Sequence, residues 1–198
     1  MIEVEKKFVV SQDELTRLVA GAHLLGKEVH TDVYYDSADH VLTKKDIWLR
    51  SRSGRFELKF PVGVVNDAQR VIAHDEIEND AGICAKLGIP ADVPLAQSLV
   101  SLGYFPFATV TTTRLKYERE GFHIDVDRAD FGYDILEIEL MVPSESDVKE
   151  AYQKILDFAT AHGIPIPEKR TRGKVHEYIR RSDPAHFHAL EEAWGVTF

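Results

Sequence analysis

Charged residues recur two positions apart along segments whose intervening positions are apolar, and this pattern limits the fold more than any other feature of the chain. Glu3, Glu5 and Lys7 alternate with Ile2, Val4 and Phe8, and Arg50 and Arg52 follow Trp48 around Leu49. Glu57 and Lys59 alternate with Phe56 and Leu58, Asp125 and Asp127 with Ile124 and Val126, Glu137 and Glu139 with Ile138 and Leu140. In a strand, residues i and i+2 point to the same side of the sheet. For one such pair, a half-buried sheet with its charged face in water is the ordinary explanation. For the whole set, the apolar faces all need a packing partner, and the charged faces carry both signs at a density unusual for one open surface. A barrel or tunnel with a charged lumen, covered outside by helices, satisfies both requirements. A lumen of Arg, Lys and carboxylates suits a polyanion with a divalent metal, since cations hold phosphate oxygens and carboxylates hold Mg²⁺.

The rest of the chain reads as α+β. The form Ser11-Gln12-Asp13-Glu14 is a capping box and starts a helix expected to run to about Leu25. Strand texture covers Val29–Phe60, with a tight turn at Ser53-Gly54, and again Arg70–Glu78, Ala108–Glu118, Phe122–Asp127 and Ile135–Val142. Helices are expected over Ala81–Leu87, Pro94–Leu102, Ser144–His162 and from Asp183-Pro184 onward, where Phe187, Leu190 and Trp194 form an apolar face. Lys174–Ile179 reads as a last strand. No linker or repeat divides the 198 residues, which points to one domain spanning 1–198. The net charge of -9 disfavours a nucleic-acid partner, although a locally cationic pocket can still bind an anion. The single cysteine, Cys84, excludes an internal disulfide. No apolar run approaches the ~18 residues of a spanning helix, and the charged Met-Ile-Glu-Val-Glu start does not read as a secretory signal. The expectation is a cytoplasmic protein, a monomer, with a small-molecule substrate and neither membrane nor nucleic-acid partner.

Glu3-Val4-Glu5-Lys6-Lys7 has the Glu-x-Glu-x-Lys form that opens members of the CYTH superfamily, the triphosphate tunnel metalloenzymes. Tyr34-Tyr35-Asp36, Trp48-Leu49-Arg50-Ser51-Arg52, Glu57-Leu58-Lys59, Arg114, Asp125-Val126-Asp127, Ala129-Asp130-Phe131-Gly132-Tyr133, Glu137-Ile138-Glu139 and Lys174 follow in that family's order across nearly the whole chain. The chain therefore resembles this superfamily, and within it the thiamine triphosphatases. The resemblance implies an eight-stranded antiparallel tunnel packed outside by helices, and Mg²⁺-dependent hydrolysis of thiamine triphosphate to thiamine diphosphate and phosphate. It implies that Lys7, Arg50, Arg52, Lys59, Arg114 and Lys174 hold the triphosphate. Glu3, Glu5, Asp125, Glu137 and Glu139 would serve the metal, with Glu76 and Asp127 assisting. Trp48 would stack on the thiazolium, and Tyr34 would stand in the lumen near a basic residue. No residues are matched to the pyrimidine ring. The base that takes a proton from water is left open between Lys7 or Lys59 with Tyr34, a lysine among cations having a lowered pKa, and a lumen carboxylate. Alternatives are an inorganic or nucleoside triphosphatase, a class IV adenylyl cyclase, and a non-catalytic polyphosphate-binding module.

Other signals carry less. Asp125-x-Asp127-x-x-Asp130-x-Gly132 misplaces the glycine and lacks the final glutamate of a calcium loop. Asp130-Phe131-Gly132 lacks every other kinase element. His186 and His188 diverge on a helix and are expected in solvent. Cys84 reads as an inert buried thiol and Trp194 as a core anchor. Tyr34 and Tyr35 point to opposite faces, one of them into the lumen.

Overall fold

The alternating charges line the inside of a closed barrel. The computed structural model describes residues 2–66 and 71–195. Its strands are β1 (Ile2–Phe8), β2 (His23–Asp36), β3 (Trp48–Arg52), β4 (Arg55–Asn66), β5 (Val71–Ile77), β6 (Phe105–Arg119), β7 (Phe122–Ala129) and β8 (Tyr133–Val142). They close in the order β1-β5-β4-β3-β2-β6-β7-β8, each antiparallel to its neighbours. The β1–β8 seam sets Glu5 opposite Glu139 and Lys7 opposite Glu137. Directly paired residues bring their Cβ atoms to about 4.5–5.5 Å, so register alone sets the opposite charges of Lys7 and Glu137 side by side and the like charges of Glu5 and Glu139 against each other. Ser53 and Gly54 both have positive φ, 52° and 81°, the geometry a two-residue β3–β4 hairpin requires.

The outer faces are apolar and covered. Helix α4 (Val148–Ala161) buries Val148, Tyr152, Ile155 and Phe158 against Val4, Phe8, Ile124, Val126, Leu136 and Ile138. Helix α1 (Gln12–Val19) adds Leu18 to the same core, and its start is fixed by the reciprocal Ser11–Glu14 bonds. Helices α2 (Asp80–Leu87) and α3 (Leu95–Ser101) bury Ile83, Cys84, Leu95 and Leu99 on Leu49, Leu58 and Phe60 of β3 and β4. Each such side chain contributes about 1.5–3 kcal/mol on burial. The strand phase is therefore held from outside, and the charges have only the lumen to occupy. Helices α5 (Lys174–Ser182) and α6 (Pro184–Trp194) bring Val175, Ile179, Leu190 and Trp194 onto Tyr34, Trp48 and Ala108.

Three expectations are corrected. The first helix stops at Val19 rather than near Leu25, because Gly21 takes a left-handed turn (φ 82°) and the chain enters β2 at His23. The segment from Lys174 is a helix. β1 is already paired on both sides, by β5 and β8, so it has no free edge for a further strand, and Val175, His176 and Ile179 bury at helical spacing. His186 is buried at 1% exposure, stacked on His40 and bonded to Thr43, while His188 is the exposed one. Of the strand expected over Arg70–Glu78, Val71–Ile77 is strand in the structure, and Arg70 lies outside the described residues. No described helix is long and apolar enough to cross a membrane.

Candidate active site

The lumen opens into a cavity of about 190 Å³. Its walls include Glu3, Glu5 and Lys7 of β1, Tyr34 of β2, Trp48, Arg50 and Arg52 of β3, Lys59 of β4, Glu76 of β5, Arg114 of β6, Glu137 and Glu139 of β8, and Lys174 of α5. These sequence-distant residues meet because period-two strands closed into a ring point one side chain in two at the axis. Asp125 and Asp127 stand behind this wall, 2% and 0% exposed, and hold its cations.

Each of the six basic side chains Lys7, Arg50, Arg52, Lys59, Arg114 and Lys174 is matched by carboxylate. Arg52 grips Asp32 bidentately, Nε donating to Oδ1 at 2.7 Å and Nη2 to Oδ2 at 2.9 Å. Arg50 donates to Glu57 at 2.6 Å and to Glu76 at 2.9 Å. Lys59 donates to Glu3 at 2.8 Å and Glu5 at 3.3 Å. Lys7 pairs with Glu5 and stands 3.5 Å from Glu137. Arg114 takes both oxygens of Asp127 at 2.6 Å, Glu137 at 2.7 Å, and Asp125. Lys174 pairs with Asp127 and lies 3.8 Å from Glu137.

The carboxylates fall into two electrostatic kinds. Burial alone would raise Glu137 and Glu5, but Lys174, Lys7 and Arg114 around the first, and Lys59 and Lys7 around the second, hold both below the usual range. Glu139 is pushed well above it, by burial and then by the neighbouring Glu3, Glu137, Glu5 and Asp125. Asp125 also rises, burial outweighing Arg114, and its Oδ1 is buried without a hydrogen-bond partner. Donor atoms of Glu3, Glu5 and Glu139, and of Asp125, Glu137 and Glu139, each lie within 4.8 Å of one another. Crowded hard oxygens with one orphaned atom are the donor chemistry that a divalent cation such as Mg²⁺ requires. Glu76 and Asp127 are spent on Arg50 and on Arg114 with Lys174.

The lysines move the other way from the sequence expectation of a lowered pKa. Burial works to lower Lys7 and Lys59, but Glu5 and Glu137 raise the first and Glu5 and Glu3 raise the second. Both are firm cations in this charge environment.

Lys174 owes its position to the β7–β8 hairpin. Tyr133 donates to the Arg172 carbonyl at 2.8 Å, two residues before Lys174. Arg181 donates to the Phe131 carbonyl at 3.0 Å and lies over the Phe131 and Tyr133 rings. Between these anchors the buried Glu177 carboxylate accepts from Arg172, Arg180 and Arg181 at 2.6–2.9 Å. The Ala-Asp-Phe-Gly-Tyr segment thus fixes a helix across the barrel rather than meeting the cavity itself. A Cβ at Gly173 would meet the Lys7 side chain at 3.4 Å, an ordinary contact, so Gly173 marks where the start of α5 passes beside Lys7.

Sequence reasoning missed Asp32, Asp46, His74, Arg170, Thr171 and His176. Asp32 shares the lumen face of Tyr34 and was within reach of the same period-two rule. His74 alternates with Glu76 likewise. Arg170 and Thr171 sit on irregular chain and leave no periodic signal.

Three buried histidines give an acid signature. Burial, joined by Arg52, lowers His30 to about 4. Burial with Arg170 lowers His176 to about 3, and burial with His40 lowers His186 to about 4. A folded pKa below the unfolded 6.5 means stability that is complete above pH 6.5 and lost as pH falls toward 4. The raised carboxyls Glu76, Asp125 and Glu139 act oppositely, so the check is a difference between proteins. Tm plotted against pH should be flatter in His186→Gln than in wild type between pH 6.5 and 4; parallel curves would place His186 in a site that accepts its charge.

The CYTH domain profile matches residues 1–173. Thiamine-triphosphatase of Homo sapiens is 30% identical, the alignment covering 97% of this chain and 90% of that protein, and that of Macaca fascicularis matches to the same extent. Among solved structures, PH1819 protein from Pyrococcus horikoshii OT3 superposes with a TM-score of 0.62 at 22% identity, covering 90% of this chain and 98% of its own. HpAC1 from Hippeastrum, described as having a dominant triphosphatase activity, gives 0.55 at 17%, covering 91% and 95%. At these identities the structural likeness concerns the fold.

Proposed function

The chain belongs to the CYTH domain family, and on that premise we propose that it is a cytoplasmic, monomeric, one-domain hydrolase that converts thiamine triphosphate to thiamine diphosphate and phosphate with Mg²⁺. The observation that carries the reading is a closed lumen in which six basic side chains face a carboxylate cluster, with Trp48 on the same strand face as Arg50 and Arg52. The 30% identity to thiamine-triphosphatase over 97% of the chain supports it.

In this reading Arg50, Arg52, Arg114, Lys7, Lys59 and Lys174 bind the triphosphate oxygens, which take over hydrogen bonds now made to carboxylates. The arginines offer two donors in a plane and the lysines a point charge. A divalent cation bound by Glu3, Glu5, Asp125, Glu137 and Glu139 would neutralise charge on those oxygens. Phosphoryl transfer asks little covalent chemistry of a protein, so holding the terminal phosphorus in line with a water is the main task of these side chains. The raised lysine pKa values favour a lumen carboxylate over Lys7 or Lys59 as the acceptor of the water proton, with Tyr34 orienting the phosphate near Arg50, its register partner.

Trp48 separates this substrate from inorganic triphosphate. Its ring lines the cavity, yet it is only 8% exposed and packs edge-on against His176 and Trp194. A desolvated cation over an indole face gains up to about 2 kcal/mol, roughly 30-fold in kcat/KM. Trp48→Ala should lower the ratio of kcat/KM for thiamine triphosphate over inorganic triphosphate by about that factor, and also lower Tm. A panel of thiamine triphosphate, inorganic triphosphate and ATP, with phosphate, pyrophosphate and cyclic AMP all measured, tests the reading. Equal loss on every substrate in the variant, or cyclic AMP as the main wild-type product, would overturn it.

A further inference from the structure

The cavity carries unlike chemistry along its length. Where Arg50, Arg52, Arg114 and the lysines gather, it offers basic side chains paired with carboxylates. Around Trp48 its lining is Tyr34, His74, His176 and one more carboxylate, Asp46. Asp46 is 2% exposed, and among the described residues its close hydrogen bonds go to neither lysine nor arginine. Oδ1 accepts from the Trp48 indole Nε1 at 2.8 Å, and Oδ2 lies 3.3 Å from His74 Nε2. This sets it apart from Glu3, Glu5, Glu76 and Glu137, each of which faces a basic side chain at short range.

We infer that Asp46 is a specificity-determining residue that makes the Trp48 end of the cavity a subsite for the organic cation of the substrate, an inference that rests on the thiamine triphosphate reading above. Three physical effects converge on it. The hydrogen bond fixes the indole plane, so the ring presents its face without reorganising. A carboxylate accepting from the indole N–H makes the ring more electron-rich, and a cation is drawn to the negative face of that ring. The carboxylate charge itself acts at short range in a dry site, where it is poorly screened. Burial opposes ionisation of Asp46, but the His74 hydrogen bond and charge, with Arg170 and His176, draw its pKa down to about 2, so it is an anion at neutral pH. Arg170, which lines the same cavity and lies over the Trp194 ring, is the cation that shares its field. The resulting contrast, aromatic rings with the Asp46 carboxylate and Arg170 at one end and six basic side chains at the other, complements a molecule with a fixed positive ring on one side and a polyphosphate on the other. It also opposes inorganic triphosphate, which would bring only negative charge toward Asp46.

Asp46→Asn is the test. Asp46 has left-handed backbone (φ 60°, ψ 29°), which Asn also adopts readily, and Asn keeps an oxygen for the indole N–H. The charge is removed, and the atom facing His74 Nε2 becomes an amide NH₂ that the other His74 tautomer can accept. The ratio of kcat/KM for thiamine triphosphate over inorganic triphosphate should fall about tenfold, roughly 1.4 kcal/mol. Calorimetric titration should show the same fall in the affinity ratio of thiamine diphosphate to pyrophosphate, with the loss in Kd rather than kcat. An unchanged ratio, or losses on both substrates in proportion to a drop in Tm, would overturn the inference and make Asp46 a structural anchor for Trp48. A wild-type protein that binds thiamine diphosphate no better than pyrophosphate would overturn the thiamine reading itself, and the inference with it, before any variant is made.

Discussion

Rigorous chelation should abolish turnover, and Mg²⁺ should restore it. The expectation rests on the carboxylate cluster of Glu3, Glu5, Asp125, Glu137 and Glu139 rather than on charge in general. Lumen cations account for one part of each neighbouring carboxylate, but Glu139 receives none at close range among the described residues, and the buried Asp125 Oδ1 has no partner. Glu139 responds by rising well above the normal carboxyl range, through burial first and then through four like charges. A divalent cation relieves that repulsion, so it should also raise Tm, a readout that needs no substrate. Ca²⁺ should substitute poorly in turnover, because it favours longer bonds and more ligands than Mg²⁺. Glu139→Gln should weaken the Mg²⁺-dependent rise in Tm as well as activity. Full turnover after chelation, or a Tm indifferent to Mg²⁺ in wild type, would sink the metal reading.

The barrel was legible because strand period and charge coincide. Ile2, Val4 and Phe8 demanded an outer partner, and α4 supplies it; Glu3, Glu5 and Lys7 were left only the inside. The same rule placed Trp48, Arg50, Arg52, Lys59, Glu137 and Glu139 correctly in the lumen. It could not place Lys174 in its element, because a short amphipathic segment shows the same apolar residues as strand or as helix, and only the closed β1–β8 seam decides between them. Nor could it tell which partner each charge takes. Glu76 and Asp127 are spent on arginine and lysine, which depends on where neighbouring strands bring those cations. His186 failed for a related reason. Spacing puts it away from His188, but Asp36 and Thr43, from the end of β2 and the turn after it, build a buried polar pocket that accepts it.

Arg52→Ala should cost about 2–4 kcal/mol of transition-state stabilisation, roughly 30- to 1000-fold in kcat/KM, as loss of a preorganised donor does. The sequence suggests that folding would be spared, since a lumen crowded with cations should gain from losing one. The structure reverses that part. Arg52 is the bidentate partner of Asp32, which is 1% exposed. Without it, among the described residues, Asp32 keeps only Arg50 at 3.8 Å and His30 at 3.7 Å as charge partners. A buried acceptor stripped of its donors costs about 1–3 kcal/mol, and more when charged, so Tm should fall. The pH dependence identifies the cause. In wild type, burial raises Asp32 but the Arg52 hydrogen bond and the nearby arginines overcome it, leaving its pKa below 3.8. That contribution is complete above pH 3.8 and disappears as pH falls through the folded pKa, so the Tm gap between wild type and variant should be full near neutrality and close in acid. Arg52→Lys should recover part of the stability and little of the activity, because a point charge cannot replace the fork. Asp32→Asn combined with Arg52→Ala separates the two roles. It should restore most of the lost Tm, since the unpaired charge is gone, and none of the lost turnover, since no donor has returned. Recovery of both together would mean that Arg52 serves the barrel wall alone and that the phosphate is held by the other cations.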